Sequence, residues 1–292
     1  MPPTPTTLQE LQSDFARGSG VGNPDAAFRS NQRDNDGVAM KDKEFVRTGP
    51  LMELSSYPAW AQEMMLSAQK SKEKVVSHEL FAMMKEARVP PEVAYQFFVG
   101  GWPVIEQFPQ YMAVNLCKVK YGRSVAETMA RRYLMKNIRV EQNHADHWVD
   151  WAEASGITLD ELFHGDVPVE SQALNHWCWH SCERDSLATS MAATNLAIEG
   201  ATGEWSALVC DSDIYEKSFP PELRKKGMRW LRMHAHYDDT HPWEALEIVC
   251  SLIGSDAEPK YVHMLGRCIA NSYDYMALSL DRCLQAQAGG AH

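Results

Sequence analysis

From about residue 45 onward, apolar residues recur at the three- and four-residue spacing of a helix, and no stretch sustains the alternation typical of a strand. Amphipathic stretches begin near residues 59, 91, 124, 168, 221 and 258. Proline and glycine punctuate the chain at Pro58, Pro90-Pro91, Gly100-Gly101 with Pro103, Gly122, Gly156, 165–168, Pro220-Pro221 and Gly254. Pro90-Pro91 and Pro220-Pro221 are each expected to open a helix. The sequence therefore predicts an all-α protein, a single bundle of about seven or eight helices.

The first 45 residues differ in composition from the rest of the chain. Four prolines and four glycines are interspersed there with small polar residues, and no periodicity is visible. Such a segment cannot bury enough apolar area to offset the entropy lost on folding. We therefore expect a flexible tail over residues 1–45 and one folded domain over residues 46–288.

Charge and hydropathy exclude several classes of protein. The chain has 28 Lys and Arg against 39 Asp and Glu, a net charge of −11, which disfavours nucleic acid as a partner. No apolar run reaches the roughly 18–20 residues of a membrane span, and the N-terminus lacks the pattern of a secretory signal. Seven cysteines, an odd number, favour reduced thiols. We expect a cytoplasmic protein.

Two imidazoles and a carboxylate recur at helical spacing near residue 240. His234, Asp238 and His241 are four and three residues apart, so one continuous helix would place them on one face. Trp230 lies one turn earlier on that face. Ionisable groups that face a helical core are costly to bury unless they bind a metal or one another. A hydrated, charged helix face is the alternative, and the spacing alone does not distinguish the two.

Two further carboxylates lie in apolar surroundings. Glu141 and His144 are three residues apart, and the nearby Trp148 indicates that their helix is substantially buried; a hydrogen-bonded surface histidine is the alternative. Glu199 is the one ionised group in the run 186–203, so it needs a cation or several donors. Three carboxylates and three imidazoles together suit iron or manganese better than structural zinc.

Other residues have the spacing of metal ligands but are weaker candidates for metal binding. His147, one turn beyond His144, is a spare candidate. Glu161 and His164 are three residues apart, but their helix is expected to end at once, which gives His164 a capping role. A zinc-like set is formed by His176, Cys178, His180 and Cys182. Its spacing of two puts neighbours on opposite sides of a helix, so we expect no metal there.

Long segments of the chain resemble the haem-oxygenase-like di-iron oxidases, and among them the UndA-like fatty-acid decarboxylases. The matching segments are RTGPLMELSSYPAWAQ (47–62), GGWPVIEQF (100–108), NIRVEQNHADHWVDW (137–151), AIEGATGEWSALVC (197–210) and MHAHYDDTHPWEALEIV (233–249). The resemblance runs from about residue 46 to 286 and implies the helical bundle shared by TenA-like and PqqC-like proteins. Many members have six residues between the first glutamate and histidine ligands, whereas the UndA-like branch has two, as here.

The resemblance also implies a metal site and a reaction. The ligands would be Glu141, His144, Glu199, His234, Asp238 and His241, holding two Fe(II) ions per chain. The implied chemistry uses O2 to remove a hydrogen from the β-carbon of a medium-chain fatty acid. Loss of CO2 then leaves a terminal alkene one carbon shorter, such as undecene from dodecanoic acid.

The partners expected from this resemblance are a medium-chain fatty acid, an external electron donor and, at most, a second copy of the chain. Trp230 is expected to border the metal site and to limit the pocket for the alkyl chain. Three alternatives stay open. One is a di-iron oxygenase of the same fold that acts on an amino acid or an amine, and another is a metal-free TenA-like or PqqC-like enzyme. The last is a non-enzymatic binding or storage protein.

Overall fold

A computed structural model describes residues 44–236 and 240–289 of the chain, and side chains as far as residue 286. These residues belong to one compact unit in which helices are the only regular secondary structure. Residues 1–43, nearly all of the expected tail, lie outside the described residues, so the tail and its boundary stay predictions. None of the described helices is both long enough and apolar enough to cross a membrane.

Eight of the described helices have 13 residues or more, which agrees with the predicted seven or eight and confirms the all-α class. They are α1 (Ala59–Val76), α3 (Pro91–Lys118), α4 (Val125–Ala154), α6 (Val169–Arg184), α8 (Ala197–Cys210), α10 (Arg224–His236), α11 (His241–Ile253) and α12 (Pro259–Gly289). Four shorter helices are α2 (Glu79–Lys85), α5 (Leu159–His164), α7 (Leu187–Met191) and α9 (Ile214–Ser218). A 3-10 turn, Leu54–Ser56, precedes α1, and a π-helical turn, Ala192–Leu196, joins α7 to α8.

Side-chain caps and proline fix several of the helix starts. The Ser124 hydroxyl accepts a hydrogen bond from the Glu127 amide at 3.0 Å and so caps α4. Pro91 is the first residue of α3, as predicted. The prediction for Pro220-Pro221 was wrong in detail, because a hydrogen-bonded turn follows the prolines and α10 begins only at Arg224.

The helix α3 corrects a second expectation. The sequence predicts an interruption at Gly100-Gly101, but α3 continues through both glycines and through Pro103 for 28 residues. A Cβ atom on Gly100 would lie 2.7 Å from the Ser171 hydroxyl oxygen, and one on Gly101 would lie 2.8 Å from the Trp148 ring. The glycines therefore let α3 approach α6 and α4 closely, and the packing gained offsets the backbone hydrogen bond that the proline removes.

The helices that carry the candidate ligands pack against one another. Helix α10 contacts both α4 and α8, and α11 contacts the same two helices. Beside these contacts lies a buried aromatic layer, in which the rings of Trp151 and Trp205 stack on Trp230 and that of Trp148 meets it edge-on. This packing brings side chains from four helices to one place in the core.

All seven cysteines are free thiols, and Cys117 is the exposed one. Burial raises the pKa of the Cys182 and Cys210 thiols to about 11, and that of Cys268 and Cys283 to about 12. At pH 8 these four thiols carry almost no thiolate, which is the form that reacts with disulfide reagents.

We therefore expect one fast-reacting thiol per native chain when a chromogenic disulfide reagent is added at pH 8. The other six should react only after unfolding in guanidinium chloride. The variant Cys117→Ser should lose the fast phase and keep the slow one. More than one fast thiol in the native protein would contradict either the burial of five of the other cysteines or the raised pKa of the half-buried Cys210.

Candidate metal centre

Carboxylate and imidazole groups from three helices converge in the core. Glu141 of α4, Glu199 of α8 and His241, the first residue of α11, each offer one ligand atom, and the three atoms lie within 4.8 Å of one another. Glu141 and His241 are buried, and the Glu199 side chain is only 10% exposed. Oxygen and nitrogen donors without thiolate are a set that suits iron or manganese. The residues present therefore fit the metal that the sequence implies.

Two further imidazoles lie against this group. The Nδ1 atom of His144 is 3.0 Å from Oε2 of Glu141, and the rings of His144 and His234 are 4.4 Å apart between centroids. His147 is also buried, but it does not join the converging atoms. Burial and the nearby Arg229 lower the pKa of His147, which favours its neutral form. His144 lies against Glu141 and His234, and the choice of His144 over His147 as a ligand stays a prediction.

Five of the six predicted ligands therefore lie together. They are Glu141, His144, Glu199, His234 and His241. The Nδ1 atom of His241 is 3.9 Å from Oε2 of Glu199, so α8 and α11 face each other across the site. The sixth ligand, Asp238, lies outside the described residues and stays a prediction.

The single helical face predicted for residues 230–241 is not what the described residues show. Trp230 and His234 do share a face of α10, with ring centroids 3.9 Å apart. His241, however, begins a separate helix, α11, after residues 237–239, which are not described. The two imidazoles therefore reach the site from adjacent ends of two helices, and the spacing of seven does not reflect one continuous stripe.

An amide that the sequence analysis missed orients Glu199. The Asn195 Nδ2 atom donates a hydrogen bond to Oε1 of Glu199 at 2.5 Å, and Asn195 is completely buried. Asn195 belongs to the π-helical turn that precedes α8. Turns of this kind are frequent at functional sites. The available signal was an amide four residues before the isolated carboxylate, in an otherwise apolar run.

Tyr133 is a second residue that the sequence analysis missed. Its hydroxyl group donates a hydrogen bond to the backbone oxygen of His241 at 3.3 Å, which links α4 to the first turn of α11. Burial, together with the negative charges of Glu199 and Glu141, raises the pKa of Tyr133 well above its usual value. The hydroxyl group therefore keeps its proton and remains a donor.

The two sets that the sequence analysis discounted lie in α5 and α6. Glu161 and His164 are both exposed, and the Glu161 carboxylate accepts hydrogen bonds from Thr158, whose side chain caps α5. In α6, two thiols are buried and two imidazoles are exposed: Cys178 and Cys182, and His176 and His180. The four side chains of α6 therefore cannot converge on one ion.

Two cavities flank helix α8. The larger, of about 270 Å³, has Glu199 and His234 in its wall together with Met52, Met65, Leu196, Trp243 and Tyr273. On its open side lies an ion pair between Lys72 and the exposed Glu204. The smaller cavity, of about 90 Å³, is largely apolar and includes the rings of Trp148 and Trp230.

The position of Trp230 agrees with one expectation and modifies another. Its ring packs directly on His234, so it borders the candidate ligands as expected. Within the described residues, however, Trp230 lines the smaller cavity and is not part of the wall that Glu199 and His234 share. The ring therefore lies between the smaller cavity and the candidate metal ligands.

Comparison with solved structures relates this arrangement to known proteins. A TenA homologue from Pseudomonas syringae pv. tomato shares 54% sequence identity with the chain at a TM-score of 0.81, covering 83% of this chain and 100% of that one. The chain belongs to the family of TenA homologues. No family model and no curated protein matches the sequence.

More distant structures share the fold of this TenA homologue. A TenA family transcription regulator from Silicibacter is 13% identical at a TM-score of 0.63, covering 78% of this chain and 97% of that one. A domain with a haem-oxygenase-like fold from Shewanella denitrificans is 10% identical at a TM-score of 0.63, covering 78% and 94%. The predicted haem-oxygenase-like bundle is thereby confirmed.

The first prediction from this site concerns metal content. After anaerobic Fe(II) loading and desalting, we expect two irons per chain in the parent protein, measured by atomic emission. Glu199→Ala and His234→Ala should each lose most of the second iron, because each variant removes one donor. Cys178→Ser and Glu161→Ala serve as controls that keep both irons. Full occupancy in both ligand variants would contradict the assignment.

The second prediction concerns Asn195. Asn195→Ala leaves the Glu199 carboxylate without its donor, and loss of such a supporting hydrogen bond typically weakens metal binding about 10–100-fold. The measurement is Fe(II) affinity by competition with a chelator. Asn115→Ala is the matched control, because Asn115 is an equally buried amide whose partners are Ser190, Lys118 and Cys182. Equal loss of Fe(II) affinity in both variants would show that Asn195 contributes through packing and not through its hydrogen bond to Glu199.

Proposed function

We propose that this TenA homologue is an O2-dependent non-haem di-iron oxidase that converts medium-chain fatty acids to terminal alkenes and CO2. The observation that carries the proposal is the convergence of Glu141, Glu199 and His241, with His144 and His234 beside them. Two carboxylates at this separation repel each other in a buried site, and bound cations relieve that repulsion. A metal-free enzyme would bear the cost of burying these groups without using them.

The larger cavity is the place that suits the fatty acid. Its wall contains Glu199 and His234 at one end and apolar side chains such as Met65 and Leu196 elsewhere. Its volume of about 270 Å³ approaches the roughly 300–1,000 Å³ typical of small-molecule sites. We place the carboxyl end of the acid at Glu199 and His234 and its alkyl chain among the apolar side chains. This orientation would hold the β-carbon beside the bound metal.

Several side chains have definite roles in this proposal. The ligands would be Glu141, His144, Glu199, His234 and His241, joined by Asp238 through the resemblance. Iron bound there would supply the activation of O2 that removal of the β-hydrogen requires. Asn195 fixes one oxygen of Glu199 by its hydrogen bond, and Tyr133 holds the start of α11. The rings of Trp148 and Trp230 keep water away from the far side of the histidines.

The test is product formation by the full chain. Protein loaded anaerobically with Fe(II) is mixed with O2, a chemical reductant and a panel of fatty acids, and the headspace is analysed for alkenes one carbon shorter. His241→Ala, which should bind less iron, and the iron-free protein are the controls. Absence of alkene from fully loaded protein with every acid in the panel would refute the proposed reaction.

The same preparation tests the alternatives. One structure of the same fold, from Sulfolobus solfataricus, is described as a putative TenA-like thiaminase. Release of the pyrimidine from thiamin by iron-free protein would favour the metal-free alternative. Oxygen uptake with an amine or amino acid, and none with fatty acids, would favour an oxygenase with a different substrate. The larger cavity, in which we find mainly apolar side chains around Glu199 and His234, favours the fatty acid.

A further prediction concerns Trp230. Trp230→Leu should connect the smaller cavity with the metal site and shift the product profile gradually toward longer acids. One methylene group is worth about 1–3 kcal/mol of discrimination, so the shift is graded. The free energy of unfolding should fall by about 3 kcal/mol, as in other large-to-small core substitutions. Chain-length profiles and denaturant unfolding curves are the measurements.

The matched control for Trp230 is Trp151→Leu. Trp151 is as deeply buried and stacks on Trp230 with ring centroids 5.4 Å apart, but it lines neither cavity. This variant should be destabilised to a similar degree without a change in product profile. An unchanged profile in Trp230→Leu as well would show that Trp230 serves packing alone.

A further inference from the structure

We infer that the smaller cavity is a binding site for dioxygen, separate from the site of the fatty acid. This inference rests on the proposed function, since it assigns a place to the second reactant of that reaction. The site is formed by residues of α2, α3, α4, α6, α8, α10 and α12, among them Val104, Ile105, Ile198 and Leu280. The size of the cavity, the polarity of its wall and its position all suit dioxygen.

The size of the smaller cavity excludes the fatty acid and suits a very small molecule. Its volume of about 90 Å³ is far below the roughly 300–1,000 Å³ of small-molecule sites. An engineered apolar cavity of about 150 Å³ binds benzene or xenon, which gives the scale of its occupants. A diatomic gas is in the range that this cavity accommodates.

The polarity of its wall disfavours water as the occupant. The Ser279 hydroxyl already shares a hydrogen bond with the Ser171 hydroxyl at 2.7 Å, and the Cys283 thiol donates to the backbone oxygen of Ser279 at 3.2 Å. Trp230 Nε1 is a buried donor that has no hydrogen-bond partner in the described part of the protein. Thr202 is the other polar side chain of the wall, and the remaining lining residues are apolar. A buried water typically needs about three hydrogen-bond partners, so this wall favours an apolar occupant over ordered water. Dioxygen needs none and partitions into apolar space.

The smaller cavity lies between the protein surface and the Trp230 ring, which packs on His234. Ile105 and Ser279 in its wall are only half-buried, so they mark the side nearer to solvent. At the inner end lie Trp148 and Trp230, and the Trp230 ring contacts the ring of His234. Dioxygen held here is one aromatic layer away from the metal ligands.

Helix α8 keeps the two reactants apart. Ile198 and Thr202 line the smaller cavity, whereas Glu199 and Gly203 line the larger one. The two pairs lie on different faces of one helix. A fatty acid that fills the larger cavity therefore leaves the smaller cavity free, so both reactants can be bound at once.

The first experiment uses the metal-free protein and does not depend on activity. Methyl groups of isoleucine, leucine and valine are isotope-labelled, and their NMR line widths are recorded under nitrogen and under pressurised O2, which is paramagnetic. The methyl groups of Ile105, Ile198 and Leu280 should broaden several-fold more than those of Leu134 and Ile269, which are fully buried but line neither cavity. Equal broadening of the two sets would overturn the inference.

The second experiment fills the cavity. Val104→Phe places a ring in the cavity from α3, which carries none of the ligands, and Val169→Phe is the same substitution at an exposed position. Val104→Phe should lose the selective broadening and raise the KM for O2 several-fold, with iron content and the KM for the acid unchanged. Val169→Phe should behave as the parent protein does.

The outcomes separate this inference from the proposed function. Loss of broadening in Val104→Phe with an unchanged KM for O2 would overturn the inference, and so would a rise in the KM for the acid alone, which would assign the cavity to the alkyl chain. Selective broadening in a protein that forms no alkene would refute the proposed reaction while leaving a gas site in place. If Val104→Phe fails to fold, the line widths of the parent protein still decide.

Discussion

The burial of two carboxylates side by side is the constraint on which the rest of the site depends. Glu141 and Glu199 come from different helices, and their charges repel each other unless cations or donors balance them. The protein surrounds the pair with imidazoles and with the amide of Asn195. The TenA-like bundle supplies the scaffold, but the fold alone does not define the chemistry, which depends on these few side chains.

Much of this arrangement could be predicted because it depends on local sequence. Helix starts near residues 59, 91, 124, 168 and 258 follow from periodicity, proline and capping residues, and the structure places helices within a residue of each. Candidate ligand pairs such as Glu141 and His144 can be recognised in the sequence because a spacing of three puts them on one helical face. The isolation of Glu199 in an apolar run was also a local signal.

What the sequence could not predict depends on packing between distant segments. The glycines at 100 and 101 suggest the end of a helix. They are needed because Ser171 and Trp148 leave no room for a Cβ atom, and both residues are distant in the sequence. Asn195 gains its role only from the π-helical turn that precedes Glu199. The division of space into two cavities depends on how α8 sits between α10 and α12, and no spacing within one segment encodes it.

The two-sided character of α8 has a consequence for how such a protein can diversify. Substitutions at positions 198, 202 and 205 alter one cavity, and substitutions at 200, 203 and 207 alter the other. The two sets of positions belong to one helix but line different cavities. Substitutions in one set can therefore change one cavity in small steps while the other cavity keeps its shape. Glu199 is the exception, because its carboxylate belongs to the candidate metal centre and cannot be replaced without altering it. Libraries built on either set of three positions would therefore sample one property at a time.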